Sequence, residues 1–129
     1  STRSASLSQQ CAAMLQWPGV AAEIKWHDDL VYTVQGKMFA VLCDHSHVAG
    51  RLSFKVEDER FLEWTDQPGI IPAPYLARAR WVLVEDATRH APSFIEERLR
   101  SAYMLVRAKL SKKAQRELGP APWKIAGAG

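Results

Sequence analysis

The chain is poor in cysteine and has no long apolar stretch. Its two cysteines, Cys11 and Cys43, are too few to form the disulfide framework of a small secreted protein, and both have apolar surroundings typical of reduced thiols. Its apolar runs, such as residues 38–43, are much shorter than the roughly 18 residues that a membrane-spanning helix requires. The sequence therefore predicts a soluble protein, without a membrane partner, in the cytoplasm.

Signatures of catalysis and of cofactor binding are also missing. The sequence contains neither of the glycine-rich phosphate loops, G-x-G-x-x-G and G-x-x-x-x-G-K-[ST]. No Ser, Cys or Thr stands at a recognised spacing from a base and an orienting acid, and no two carboxylates form a recognisable acid–base pair. We expect a protein that is not an enzyme and that uses no cofactor.

What the chain does have is the composition of one globular domain with a basic second half. Hydrophobic residues make up 47% of the 129 residues and charged residues 24%. Residues 7–118 contain no linker or repeat and are predicted to form a single domain, after a disordered or expression-derived start at 1–6 and before a tail at 119–129. Residues 1–66 carry six Lys/Arg against nine Asp/Glu, whereas residues 67–129 carry eleven against five. This excess can attract a polyanion, and a merely solvated face also explains it.

The hydrophobic periodicity predicts the order helix, four strands, helix, strand, helix. Gln35-Gly36 predicts a tight hairpin, because glycine readily adopts a positive φ. Pro72 and Pro74 exclude a regular helix through residue 74 and allow one short turn after it. The predicted strands are 23–26, 31–34, 37–43, 51–56 and 81–85, and the predicted helices are 8–16, 57–67 and 92–110, with 111–118 either extending the last helix or forming a separate turn.

This order of elements predicts an α+β fold. Helices with an apolar stripe need the apolar face of a sheet, so the economical packing is a two-layer sandwich, an antiparallel sheet of about five strands with helices on one face. Arg51, Ser53 and Lys55 alternate with apolar residues in the fourth strand and are predicted to lie on the other face, in contact with solvent.

Several segments together resemble the MmcQ/YjbR-like family. They are EIKW followed by VYTVQGKMFAVL, then LSFKV, PGIIPAPYLARARWVLV and SAYMLVRAKLSKK, in that order between residues 22 and 113. The resemblance implies a fold similar to the CyaY (frataxin-like) arrangement, found in small bacterial proteins that are often described as predicted DNA-binding proteins. It implies no shared catalytic residue or cofactor. The DHSHVAG turn and the tail after Leu118 depart from the family pattern.

The basic second half and the resemblance both favour a weakly sequence-selective contact with the DNA backbone. Basic groups bind phosphate, and aromatic rings stack on unpaired bases. The candidate DNA-binding residues are Lys37, Arg51, Lys55, Arg78, Arg80, Trp81 and Arg107. A structural interpretation exists beside this one: Trp81 can belong to the core and the arginines can be solvated. Glu96, four residues before Arg100, similarly predicts an intrahelical ion pair.

Two further interpretations start from other segments. Cys43, Asp44, His45 and His47 crowd one turn, but no second ligand cluster accompanies them, so we expect a polar loop and no metal site. The absence of carboxylates from the predicted first helix likewise argues against the iron binding of frataxin-like proteins. As an alternative to DNA, the Pro-rich and aromatic segment 68–81 could line a groove for a protein partner or a small ligand.

Overall fold

A computed structural model describes residues 11–25, 29–45, 48–73 and 76–119. The expectations for residues 1–6 and for the tail beyond Gly119 lie outside these ranges. Across the part of the chain that is described, no helix is long and apolar enough to cross a membrane.

Within the described residues, six strands form one antiparallel sheet in the spatial order β1-β2-β3-β4-β6-β5. The strands are β1 (Val20–Lys25), β2 (Asp29–Val34), β3 (Lys37–His45), β4 (Val48–Lys55), β5 (Ile70–Pro72) and β6 (Trp81–Val84). All neighbours pair antiparallel. The sequence predicts about five of these strands and misses β5, because three residues that end in proline carry too little alternation to show a period.

Three α-helices lie entirely within the described residues. They are α1 (Phe61–Thr65), α2 (Pro92–Ala108) and α3 (Lys112–Leu118). The predicted long helix is confirmed as α2, and residues 111–118 form a separate helix whose first turn is capped by Ser111. Of the predicted first helix, residues 11–16 are described, and they are helical and end in the 3₁₀ turn Met14–Gln16.

The hairpin between β2 and β3 is confirmed at Gln35-Gly36. Both residues have a positive φ, 48° and 81°, the backbone that matches the twist of a two-residue hairpin. The turn pairs Val34 with Lys37, so it fixes Lys37 at the start of β3.

The helices pack on one face of the sheet and bury the main core there. Large members of this core are Tyr32, Phe39, Phe54, Leu99 and Tyr103, each 1% exposed or less. The α+β sandwich predicted from the sequence is therefore confirmed, with six strands in place of about five.

The other face of the sheet is less solvated than the sequence predicts. Val31, Val41, Trp81 and Leu83 form a second buried cluster there, together with Ala73 from the segment between β5 and β6. Among the three residues of β4 predicted to contact solvent, Arg51 is exposed, Lys55 is half-buried and Ser53 is only 8% exposed. The correction has a simple cause: apolar residues on the neighbouring strands flank Ser53 on both sides, since it pairs with Val41 and Leu83.

Candidate functional site

Four basic residues from four different elements lie at one end of the sheet. Lys37 begins β3, Lys55 ends β4, Arg80 immediately precedes β6, and Lys109 immediately follows α2. Antiparallel pairing explains the first three, because the start of one strand lies beside the end of its neighbour, and Lys55 pairs with Trp81. We call these four residues the basic end.

Lys55 is the centre of the basic end. Its Nζ donates a hydrogen bond of 2.6 Å to the carbonyl oxygen of Ala79. Partial burial lowers the pKa of Lys55 from 10.5, and the charges of Lys109 and Arg80 lower it further, while Asp58 opposes them. Lys109 and Arg80 are therefore each close enough to act on the charge of Lys55, and an anion bound beside Lys55 would offset that repulsion.

Lys37 and Lys109 lie on the two sides of an open cavity of about 610 Å³ beside this cluster. The β2–β3 hairpin forms one wall and the turn between α2 and α3 forms the other. One carboxylate, that of Glu117, also lines the cavity. Among the described residues, however, no carboxylate lies within 4.0 Å of the amino groups of Lys37, Lys55 or Lys109.

Arg80 differs from the three lysines because it has an acidic neighbour. Its Nε lies 3.8 Å from Oδ1 of Asp58, and its guanidinium lies 5.5 Å from the ring centroid of Phe61. An exposed ion pair of this kind contributes little free energy and exchanges easily. Arg80 has a positive φ of 64°, and a 2.9 Å hydrogen bond from the amide of Val56 holds its carbonyl in place.

Two other predicted residues are exposed, and they lie at different distances from the basic end. Arg78 is on the 3₁₀ turn Ala77–Ala79, next to the carbonyl that binds Lys55. Arg51 pairs with Cys43, four residues before Lys55 on β4. At the usual rise per strand residue, Arg51 is roughly 13 Å from Lys55. Arg78 thus adjoins the basic end, and Arg51 does not.

The remaining two predicted residues, Trp81 and Arg107, are buried. Trp81 is 4% exposed in the second cluster, and Arg107 is 5% exposed. The guanidinium of Arg107 donates to the hydroxyl of Tyr103 at 3.0 Å and to the carbonyl of Gly119. Neither side chain presents a surface to a large ligand, so we leave both out of the candidate interface.

The candidates chosen from sequence omit Lys109. The segment SAYMLVRAKLSKK contains several basic residues close together. The residue at which α2 ends decides which of them lies at the end of the sheet, and the sequence does not show that residue. The structure ends α2 at Ala108, with Lys109 as its C-terminal cap residue. The predicted ion pair of Glu96 with Arg100, which depends only on spacing within the helix, is confirmed.

In the cysteine- and histidine-bearing turn, the side chain of Cys43 is half-buried. Burial, followed by a hydrogen bond to Asp29, raises the pKa of the Cys43 thiol to about 12, so this thiol is protonated at neutral pH. No group of three or more His, Cys, Asp or Glu residues capable of holding a metal occurs in the described ranges. His47 lies outside them.

Comparisons with known proteins agree with the fold. Residues 15–105 match the family model described as YjbR. Protein DR2400 of Deinococcus radiodurans, whose crystal structure is described with the family-model domain DUF419, is similar with a TM-score of 0.76 and 26% sequence identity, over 96% of this chain and 95% of that one. A comparison with curated proteins found no match.

Proposed function

The chain belongs to the YjbR family, and from this premise we propose that it is a non-enzymatic binding module that contacts the DNA backbone through the basic end. The observation that carries the proposal is that four basic residues from four different elements, Lys37, Lys55, Arg80 and Lys109, lie at the same end of the sheet. Cations without close carboxylate partners are the groups that phosphate oxygens can neutralise at least cost.

The chemistry of the basic end supports weak sequence selectivity. Three of its four residues are lysines, which act as point charges and lack the bidentate fork with which arginine reads guanine. The fourth, Arg80, already forms an ion pair with Asp58. Contacts of this type position a protein on the backbone and carry no base information.

The proposal is tested with a double variant, Lys37→Gln with Lys109→Gln, by fluorescence anisotropy on a labelled DNA duplex. Both side chains are exposed, so the variant should fold normally. Each phosphate contact contributes about 0.9 to the slope of log affinity against log salt concentration. We expect the slope to become shallower by about 1.8 and the affinity at low salt to fall roughly tenfold.

Arg51→Gln is the matched control, because it removes an exposed positive charge from the same sheet outside the basic end. Its affinity and salt slope should equal those of the unchanged protein. Absence of duplex binding at low salt, or a DNA affinity that does not depend on salt concentration, would overturn the proposal. An Arg51→Gln effect as large as that of the double variant would place the interface elsewhere on the sheet.

The lowered pKa of Lys55 predicts that DNA affinity falls as pH rises. A phosphate beside Lys55 favours its charged form and raises its pKa, so the complex holds more protons than the free protein between the lowered pKa of the free protein and the higher pKa of the complex. Affinity is therefore highest below that window and decreases through it. Titrations at increasing pH, with calorimetry in two buffers of different ionisation enthalpy, would measure the proton uptake. Lys55→Gln should abolish it, and an unchanged uptake in that variant would contradict the assignment to Lys55.

A further inference from the structure

The two edges of the sheet differ in how well they are protected. β5 has three residues and ends in Pro72, which cannot donate to another strand. β1 has six residues, no proline and four exposed side chains, those of Ala21, Glu23, Ile24 and Lys25. A strand of this length without proline is a template for pairing with another chain.

The charged side chains that would discourage pairing at β1 neutralise each other within the strand. A lysine on an edge strand usually discourages pairing. Here Nζ of Lys25 lies 3.2 Å from Oε1 of Glu23, so the two charges compensate each other on one face. On the opposite face Ile24 is 70% exposed, which is unusual for an isoleucine in a strand.

The backbone of β1 is also oriented for pairing at Ile24. The amide of Gln35 donates to the carbonyl of Gly19 at 3.2 Å, which makes these two residues a hydrogen-bonded pair. Following the β1–β2 register from that pair, residues 21, 23 and 25 direct their N–H and C=O groups toward β2. Ala22 and Ile24 therefore direct theirs outward, where the described residues supply no partner.

We propose that β1 pairs antiparallel with β1 of a second copy of this chain, about a two-fold axis at Ile24. In this register Ile24 faces Ile24 of the second copy and exchanges both backbone hydrogen bonds with it. Glu23 faces Lys25 of the second copy, and Lys25 faces its Glu23. The two sheets then become continuous through a self-complementary contact.

Neighbouring registers lack this charge complementarity. An axis at Glu23 or at Lys25 places like charges directly opposite each other, which destabilises a strand pair. An axis at Ala22 places Glu23 opposite Ala21 and leaves the charges of both copies without a cross-strand partner. The alternation of Glu23, Ile24 and Lys25 thus selects the register as well as the partner.

The test uses charge variants of the full chain in analytical ultracentrifugation over a range of concentrations. The unchanged protein should show a monomer–dimer equilibrium. Glu23→Lys alone and Lys25→Glu alone each place two like-charged pairs in the contact, and each should raise the dimer dissociation constant at least tenfold. The two variants mixed together should form a heterodimer, and Glu23→Lys combined with Lys25→Glu in one chain should restore the homodimer.

Lys113→Glu, an exposed charge change on α3, is the matched control and should leave the equilibrium unchanged. A protein that stays monomeric up to millimolar concentration would overturn the proposal. Pairing of the β1 edge with a strand of a different protein, in place of a second copy, would also overturn it. Single variants that dimerise normally, or a mixture that fails to recover, would overturn the register. None of these outcomes depends on DNA binding, since no residue of the basic end is altered.

Discussion

Replacing Trp81 with Ala should lower the free energy of unfolding by about 3–5 kcal/mol. The side chain is 4% exposed and belongs to the second cluster, beside Val31, Val41 and Leu83. Removing the indole leaves a cavity against β-branched and aliphatic neighbours whose strands are fixed in the sheet, so little of the space can close. The midpoint of urea unfolding, followed by circular dichroism, measures the loss.

Trp81→Phe separates packing from any role of the indole in binding. A phenylalanine ring fills much of the same space, so this variant should lose much less stability than Trp81→Ala and should bind duplex DNA like the unchanged protein. Near-native stability of Trp81→Ala would contradict the burial of the ring. A loss of DNA affinity in the well-folded Trp81→Phe protein would show that Trp81 reaches the ligand after all.

The two interpretations of Trp81 could not be separated from sequence, and the reason is physical. β6 consists of four apolar residues in a row, all of them buried. A strand without alternation does not show which residues face which side, and it is typical of a strand covered on both faces. The expectation of one solvated face came from the alternation in β4, where Arg51 and Lys55 flank Ser53. The pairing of Ser53 with Val41 and Leu83 is a long-range property that this alternation does not contain.

Elements governed by local rules were predictable in detail. The start of the last long helix at residue 92, where proline is favoured, and the Gln35-Gly36 hairpin both depend on rules that act within a few residues, and both are confirmed. The position of β6 between β4 and β5 depends on which distant segments pair. The short β5 is stabilised by that pairing, since its own three residues have little strand signal.

The same distinction applies to the basic end. Lys37, Lys55 and Arg80 can be chosen from the sequence as basic residues at strand ends, but their convergence requires the registers of β3 with β4 and of β4 with β6. Lys109 joins them only because α2 stops where it does. Arg107, two residues earlier, has the same charge and a similar sequence context, yet it is buried.

Arg107→Met should lower the free energy of unfolding by about 2–4 kcal/mol while leaving DNA affinity unchanged. The guanidinium donates to the hydroxyl of Tyr103, and that hydroxyl donates in turn to the carbonyl of Pro18 at 2.6 Å. A second contact reaches the carbonyl of Gly119. Arg107 therefore ties α2 to the segment before β1 and to the end of α3. Methionine retains most of the volume but leaves the hydroxyl of Tyr103 and the carbonyl of Gly119 without their charged donor.

Lys109→Met is the matched variant, because it removes a positive charge from the same end of the same helix. Its side chain is exposed, so its stability should change by no more than about 0.5 kcal/mol. Its affinity for duplex DNA should fall, because Lys109 belongs to the basic end. The two variants are thus expected to show opposite results in urea unfolding and in anisotropy. Suppose instead that Arg107→Met lost DNA affinity while keeping full stability. The guanidinium of Arg107 in the unchanged protein would then have to move to solvent on binding, and the interface formed by the four residues of the basic end would be incomplete.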